Sequence, residues 1–163
     1  MAVITFKGQS EYFAKLQQME QLFEKPATIE QAVAAGAAPV ANAIRGRLEK
    51  LPEDEFRYLQ PGETFSGIPR EQKEDLQSGF GLTPIRRDKN GFVHTKAGFD
   101  GYGSHPTKAY PKGVPNALIA RAAESGSSVR RKTPFVGPAV KASQDQSVAA
   151  MEQVIDDKIK QIF

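Results

Sequence analysis

"TIEQAVAAGAAPVANAIRGRLEKL", Thr28 to Leu51, is the stretch on which the fold turns. Ile29, Val33, Gly36, Ala37, Val40, Ile44, Leu48 and Leu51 recur at the spacing of one α-helical face. Thr28 followed three residues later by Gln31 is a capping-box pattern, so one long helix is expected over residues 28–51. Its middle, "AVAAGAAP", is nearly all small, which lets a second helix or a sheet approach its backbone closely. Pro39 interrupts the pattern. An internal proline removes one hydrogen bond and clashes with the preceding turn, at about 3 kcal/mol, so a kink near Gly36 to Pro39, or a break into two pieces, is expected.

Working outward, residues 1–25 read as a short strand and a helix. The strand covers Ala2 to Lys7 and closes at Gly8. Ser10 then stands as N-cap, and Tyr12, Phe13, Leu16, Met19, Leu22 and Phe23 form an apolar stripe that ends near Glu24, before Pro26. On the other side, residues 52–70 carry prolines and glycines without a sustained period and read as a long loop, with "REQKEDLQSG" as a brief helix ending at Gly79. Residues 79–100 read as a β-hairpin turning at Lys89, Asn90 and Gly91, because Asn-Gly readily supplies the positive φ of a tight turn. A second loop covers 101–115. A short helix covers 116–126, with Asn116 as cap and Gly126 as stop. An amphipathic helix over 138–163 shows Val140, Val148, Met151, Ile155, Ile159 and Ile162 on one stripe. The expected fold is therefore a single α+β domain: an antiparallel hairpin-based sheet against the Ala-rich helix and the C-terminal helix, with two long loops outside.

Composition narrows the function classes. At 163 residues the chain is large enough to bury one core without staples. It contains no cysteine, which excludes disulfides, thiolate metal sites and thiol nucleophiles. The start "MAVITFKGQSEYF" lacks the marks of a signal peptide, and no stretch approaches the roughly 20 apolar residues of a membrane span, so a soluble protein is expected. With 22 basic and 19 acidic residues the net charge is +3, and the charges are interspersed, which by itself does not imply nucleic acid.

Catalytic and metal constellations are sparse. His94 and His105 are the only histidines, and neither stands at metal-motif spacing from another ligand. The acidic runs "PEDEF" and "IDDK" read as solvated charge, and the glycines of "GFDGYGS" lead into more loop instead of into a helix N-terminus. No metal, cofactor or catalytic residue is expected. Three basic groups could meet a polyanion or a neighbour's carboxylates: Arg45, Arg47 and Lys50 at the end of the long helix; Arg86, Arg87 and Lys89 by the hairpin turn; and Arg130, Arg131 and Lys132. The first group is also what a helix C-terminus favours. The other two are the candidates for a subunit, partner or DNA-channel contact.

"ESGSSVRRKTPFVGPAV", Glu124 to Val140, reads as a rigid corner. Pro134 and Pro138 fix φ and withhold donors, Phe135 between them can bury its ring, and Gly126 permits a backbone angle that a larger residue would strain. Ser127 to Lys132 is then expected to be the mobile part, presenting its three cations outward.

The order of these pieces carries a resemblance. An alanine-rich helix, a Gly-Leu-like step into a hairpin (Gly79 to Leu82), an E-x-G segment (Glu124 to Gly126) and a Pro-Phe-x-x-Pro-Ala element opening a terminal helix (Pro134, Phe135, Pro138, Ala139) resemble the tail-component family of tailed bacteriophages, similar to the lambda-type minor tail protein Z. The match covers most of the chain from about Ile29 onward. It departs at the Gly101 to Pro115 loop, at the helical "NALIARAA", and at Ser127, where the family commonly has threonine. The resemblance implies a non-enzymatic virion protein of the neck or tail, assembled in the host cytoplasm. It would form a homo-oligomeric ring, by this likeness a hexamer, that joins the DNA-filled head to the tail around the DNA channel. Neck ring, tail completion and tail terminator remain open as positions. Other neck proteins, the head-closure connector, tail terminator or tail tube, are the implied partners, with non-specific contact to the genome and no membrane. The alternatives from the residues alone are a small basic nucleic-acid-binding module and, third, an enzyme with carboxylate chemistry.

Overall fold

The computed structural model describes residues 9–163; the strand expected over Ala2 to Lys7 lies outside the described residues. In order these form α1 (Gln9–Glu24), α2 (Pro26–Glu49), α3 (Arg70–Gly79), β1 (Phe80–Leu82), β2 (Arg86–Arg87), β3 (Val93–His94), β4 (Ala97–Phe99), α4 (Asn116–Ser125) and α5 (Val136–Lys160). The fold is α+β, with the strands confined to one antiparallel hairpin. β1 pairs with β4, Phe80 opposite Phe99, and β2 pairs with β3, Arg86 opposite His94. Thr83 joins the two pairs: its N–H donates to Lys96 O at 2.8 Å, its hydroxyl accepts from Lys96 N at 3.0 Å, and its carbonyl accepts from the Thr95 hydroxyl at 2.6 Å.

α2 starts earlier than the capping box suggests. Pro26 occupies the first turn, Lys25 is the N-cap with no side-chain cap bond, and Thr28 is buried inside the first turn. A proline there has its φ preset for the helix and lacks only a donor that would be unpaired anyway. For the same kind of reason Ser10 is not a cap, because the helical run already includes Gln9. Of the two outcomes expected at Pro39, a kink or a break into two pieces, the break is absent: α2 is α-helical through Pro39 to Glu49. Pro39 has no N–H to give the Ala35 carbonyl four residues before it; at the next residue Ser147 of α5 donates its hydroxyl to the Gly36 carbonyl at 2.7 Å and ties the two helices together beside the proline.

α5 runs antiparallel along α2, and the small residues of α2 set their separation. A Cβ on Gly36 would lie 2.5 Å from Met151 Cγ and 3.2 Å from the Ser147 carbonyl. Close approach also rotates the expected stripes. On α2 Gly36, Ile44 and Leu48 of the expected stripe are buried, but Thr28, Ala32 and Ala41 are buried beside them while the larger Val33 and Val40 flank the seam; on α5 the buried positions are Ala139 and Ser143, while Val140 and Val148 are 45% and 48% exposed. α5 opens at Val136, before Pro138.

The core lies at one end of this helix pair. There Ile44 and Leu48 of α2 meet Leu76 of α3, Ile119 and Ala123 of α4, and Phe135 at the start of α5. The hairpin root closes it through a run of rings, Phe80 to Phe99 at 5.2 Å and Phe99 to Phe135 at 5.8 Å between centroids. The other end is a thin stalk. Ile29 and Val33 of α2 face Met151 and Ile155 of α5, all half-buried; among the described residues the hairpin flanks Val33 and Met151, and the pair otherwise lines an open groove. α1 leans on this stalk only lightly, placing Lys15 Nζ 5.5 Å from the Phe163 ring centroid. Its expected apolar stripe is therefore not a core face: Tyr12 and Phe13 are more than half exposed.

Both long loops are tied down by carboxylates. Asp75 on α3 accepts the Ser104 N–H at 2.7 Å, and Asp54 accepts the Ser66 N–H at 2.8 Å. Asn116 is not a helix cap. It is buried at the first position of α4, where its amide donates to the Asp75 and Asp100 carbonyls at 3.2 and 2.8 Å.

Candidate functional site

The corner before α5 is built from two pieces that are adjacent only in space. Glu124, in the last turn of α4, accepts the N–H groups of Phe135 (2.7 Å), Val136 (2.8 Å) and Gly137 (2.8 Å). A helix begins with four backbone donors that have no partner inside it. Here the carboxylate takes three, the fourth position is Pro138 with no N–H, and the ladder starts with Ala139 N–H to Phe135 O at 3.2 Å. Every donor is accounted for. Burial pushes the Glu124 pKa up, but the Phe135, Gly137 and Val136 N–H bonds and the Lys132 charge outweigh it and hold the carboxyl below its ordinary range. Phe135 is 1% exposed, and Gly126 has φ +79°, a left-handed angle suited to glycine, so both have the corner roles expected of them. Pro134 is exposed at the turn.

The segment before the corner differs from expectation. Ser127 to Lys132 is laced to the 52–69 loop: Phe65 N–H donates to Val129 O at 2.9 Å, and Arg131 N–H donates to Phe65 O at 2.8 Å. Arg130 is buried and is not an outward contact. Its guanidinium donates to the Gly67 carbonyl at 2.7 Å and to Gln72 Oε1 at 3.1 Å. Burial draws its pKa down, and the Asp54 charge opposes that. The triplet fails as a unit because a basic residue that alternates with exposed neighbours in a bridged strand points inward. Only Arg131 and Lys132 face solvent.

The hairpin tip keeps its candidates. Arg86, Arg87 and Lys89 are all exposed. Asp88 shapes the turn by accepting the Asn90 and Phe92 N–H groups at 2.8 and 2.9 Å, and Gly91 supplies φ +86°. Phe92, directly after that glycine, is 69% exposed. Sequence reading passed over it, although an aromatic ring at the apex of a hairpin is itself a signal of contact. Arg45, by contrast, stacks its guanidinium 5.3 Å from the Phe80 ring centroid and belongs to the packing of α2 on the hairpin.

Other polar clusters are engaged in structure. In "PEDEF", Glu53 pairs with Lys73 at 3.0 Å and Asp54 pairs with Arg57. The Ser66 N–H bond, with smaller help from the Ser66 hydroxyl and Arg57, outweighs burial and holds the Asp54 pKa below its ordinary value. His105 pairs with Glu71 and meets the Phe56 ring edge-on, and His94 lies in β3. No group of three or more potential metal ligands occurs among the described residues. No described helix is long and apolar enough to cross a membrane.

Two shallow hollows line the helix pair. One, of about 360 Å³, is the stalk groove between α2 and α5, floored by Ile29, Ala32, Val33, Val148, Met151 and Ile155, with Glu152 and Asp156 along its lip. The other, of about 330 Å³, shares Val33 and Met151 with it and is walled by the length of the hairpin at Leu82, Val93, His94, Thr95 and Ala97. The arrangement offers shaped surfaces: a cationic, aromatic tip and an apolar groove with an acidic edge. No family model, curated protein or solved structure matches the chain.

Proposed function

We propose that this chain is a structural component of a tailed-phage neck or tail, acting by assembly as part of an oligomeric ring that joins the DNA-filled head to the tail. The observation that carries the reading is the union of the E-x-G segment with the Pro-Phe-x-x-Pro-Ala element. Glu124 caps the helix that Pro134, Phe135 and Pro138 introduce, so the two parts of the resemblance act as one corner. Such a corner holds the outward surfaces in fixed relation, which docking of rigid copies requires. The engagement of Asp54, Asp75 and Glu124 with backbone donors also supports a structural role for the carboxylates.

The test is to label the chain and locate it in purified particles by electron microscopy, and to delete its gene. Density at the head–tail joint, with unjoined heads and tails on deletion, is expected; normal particles without the chain would overturn the proposal. The second reading, a nucleic-acid-binding module, is favoured by one feature, the bare Phe92 ring among Arg86, Arg87 and Lys89. Duplex binding by the isolated chain, with affinity falling steeply as salt rises, would select it.

A further inference from the structure

We infer that the hairpin tip of one copy seats in the α2/α5 stalk groove of the next, giving a head-to-tail contact between copies of this chain. The inference rests on the ring reading for its biological setting, and on two surface features for its chemistry. The groove is floored by apolar side chains, Ile29, Val33, Met151 and Ile155 among them half-buried, that stay open among the described residues, and its lip carries Glu152 and Asp156. The tip carries the complement, with Phe92 69% exposed and Arg86, Arg87 and Lys89 around it. A phenyl ring entering an apolar floor while cations meet carboxylates at the rim is the usual division of labour in an interface, an aromatic anchor inside and charge at the edge.

The occupant is a second copy, by charge. α1, the other exposed apolar element among the described residues, carries Glu11, Glu20 and Glu24 against Lys15, so it would bring acid to an acidic lip. The tip brings base. Nor does the tip serve its own groove: the hairpin walls the neighbouring hollow as far as Val93, opposite Arg87, but neither Phe92 nor the three cations line either hollow. Because tip and groove are different patches of one chain, the contact is heterologous. It leaves a free tip and a free groove after each addition, and a rotation that closes makes a ring.

The absence of cysteine gives a clean test. Asn90→Cys, which keeps the Phe92 ring and the three cations of the tip, and Val148→Cys, both at exposed positions, are combined in one chain and also made singly, then oxidised at rising protein concentration. The double variant is expected to give a ladder of covalent oligomers and each single variant to stay monomeric. An Asn90→Cys dimer as abundant as the products of the double variant, or no ladder at any concentration, would overturn the contact. Sedimentation of a tip reversal (Arg86→Glu, Arg87→Glu, Lys89→Glu) and of a groove reversal (Glu152→Lys, Asp156→Lys) supplies the charge test. Each alone should weaken self-association by about tenfold or more, and mixing the two should restore it. Self-association unchanged by both reversals, or a tip reversal that abolishes duplex DNA binding while leaving association intact, would also overturn the contact. These results are independent of particle location. A chain found at the head–tail joint without tip–groove ladders would keep the ring and lose this contact, whereas ladders from a chain absent from particles would do the reverse.

Discussion

Glu124→Ala should unfasten α5 from α4, and the size of the effect follows from the three N–H groups it would strand. Those of Phe135 and Val136 are part-buried, so water replaces the carboxylate there poorly, while the Gly137 N–H is exposed and is readily hydrated. Leaving a buried donor unpaired costs about 1–3 kcal/mol. Negative charge at a helix N-terminus adds about 0.3–1 kcal/mol. Taking the lower half of the first range for both part-buried donors gives a loss of about 3 kcal/mol, or a fall of about 6–12 °C in Tm for a chain of this size. Glu124→Gln keeps one acceptor oxygen and should lose about half as much. The pH dependence separates charge from packing. The folded-state pKa of Glu124 lies below its unfolded value, so its contribution is fully present above about pH 4.3 and is lost as pH falls through the lower, folded value. Urea denaturation followed by circular dichroism, on wild type and Glu124→Gln at several pH values, should show a stability gap that is constant near neutrality and closes in acid. The other carboxylates are common to both proteins and cancel in the difference. A Glu124→Ala loss below about 0.5 kcal/mol, or a gap as wide at pH 3 as at pH 7, would refute the capping account.

Three further outcomes are expected. Phe135→Ala should cost about 3–5 kcal/mol in denaturant titrations, because the ring is 1% exposed and ends the stack from Phe80 and Phe99; a loss under about 1 kcal/mol would contradict its role as anchor. Arg130→Met should lose about 2 kcal/mol, since it strands the Gly67 carbonyl and Gln72 while removing a buried charge, and equal or higher stability would show that the strut is dispensable. Arg131→Ser with Lys132→Ser should leave thermal stability nearly unchanged yet lower the yield of infectious particles, and an unchanged yield would remove this pair from the contact surface.

Legibility from sequence followed the range of the forces involved. The hairpin turn was readable because Gly91 acts through its own backbone angle; the helical run "REQKEDLQSG" does end at Gly79, but that glycine has no positive φ and its bareness serves the close approach of the Asp100 carbonyl and Asn116, which sequence does not show. Pro39 does not split its helix, although the local cost is real, because α2 is packed along α5, where Ser147, 111 positions from Gly36, donates to its carbonyl. The basic triplet misled because alternation in a bridged segment sends its middle charge inward, and only Phe65, Gly67 and Gln72, far upstream, reveal which one.

By itself the sequence determined the α+β class, the order of helices around one hairpin, and the presence of a braced corner, since periodicity, proline and glycine act within a few residues of chain. Tertiary structure alone decided that Glu124 is the cap of α5, that Arg130 is a strut, and that the stalk ends in an open groove with an acidic lip. The physical reason is that a hydrogen bond or a buried face needs two partners in register, and α2 and α5, which make the groove, are brought together only when the intervening chain folds between them.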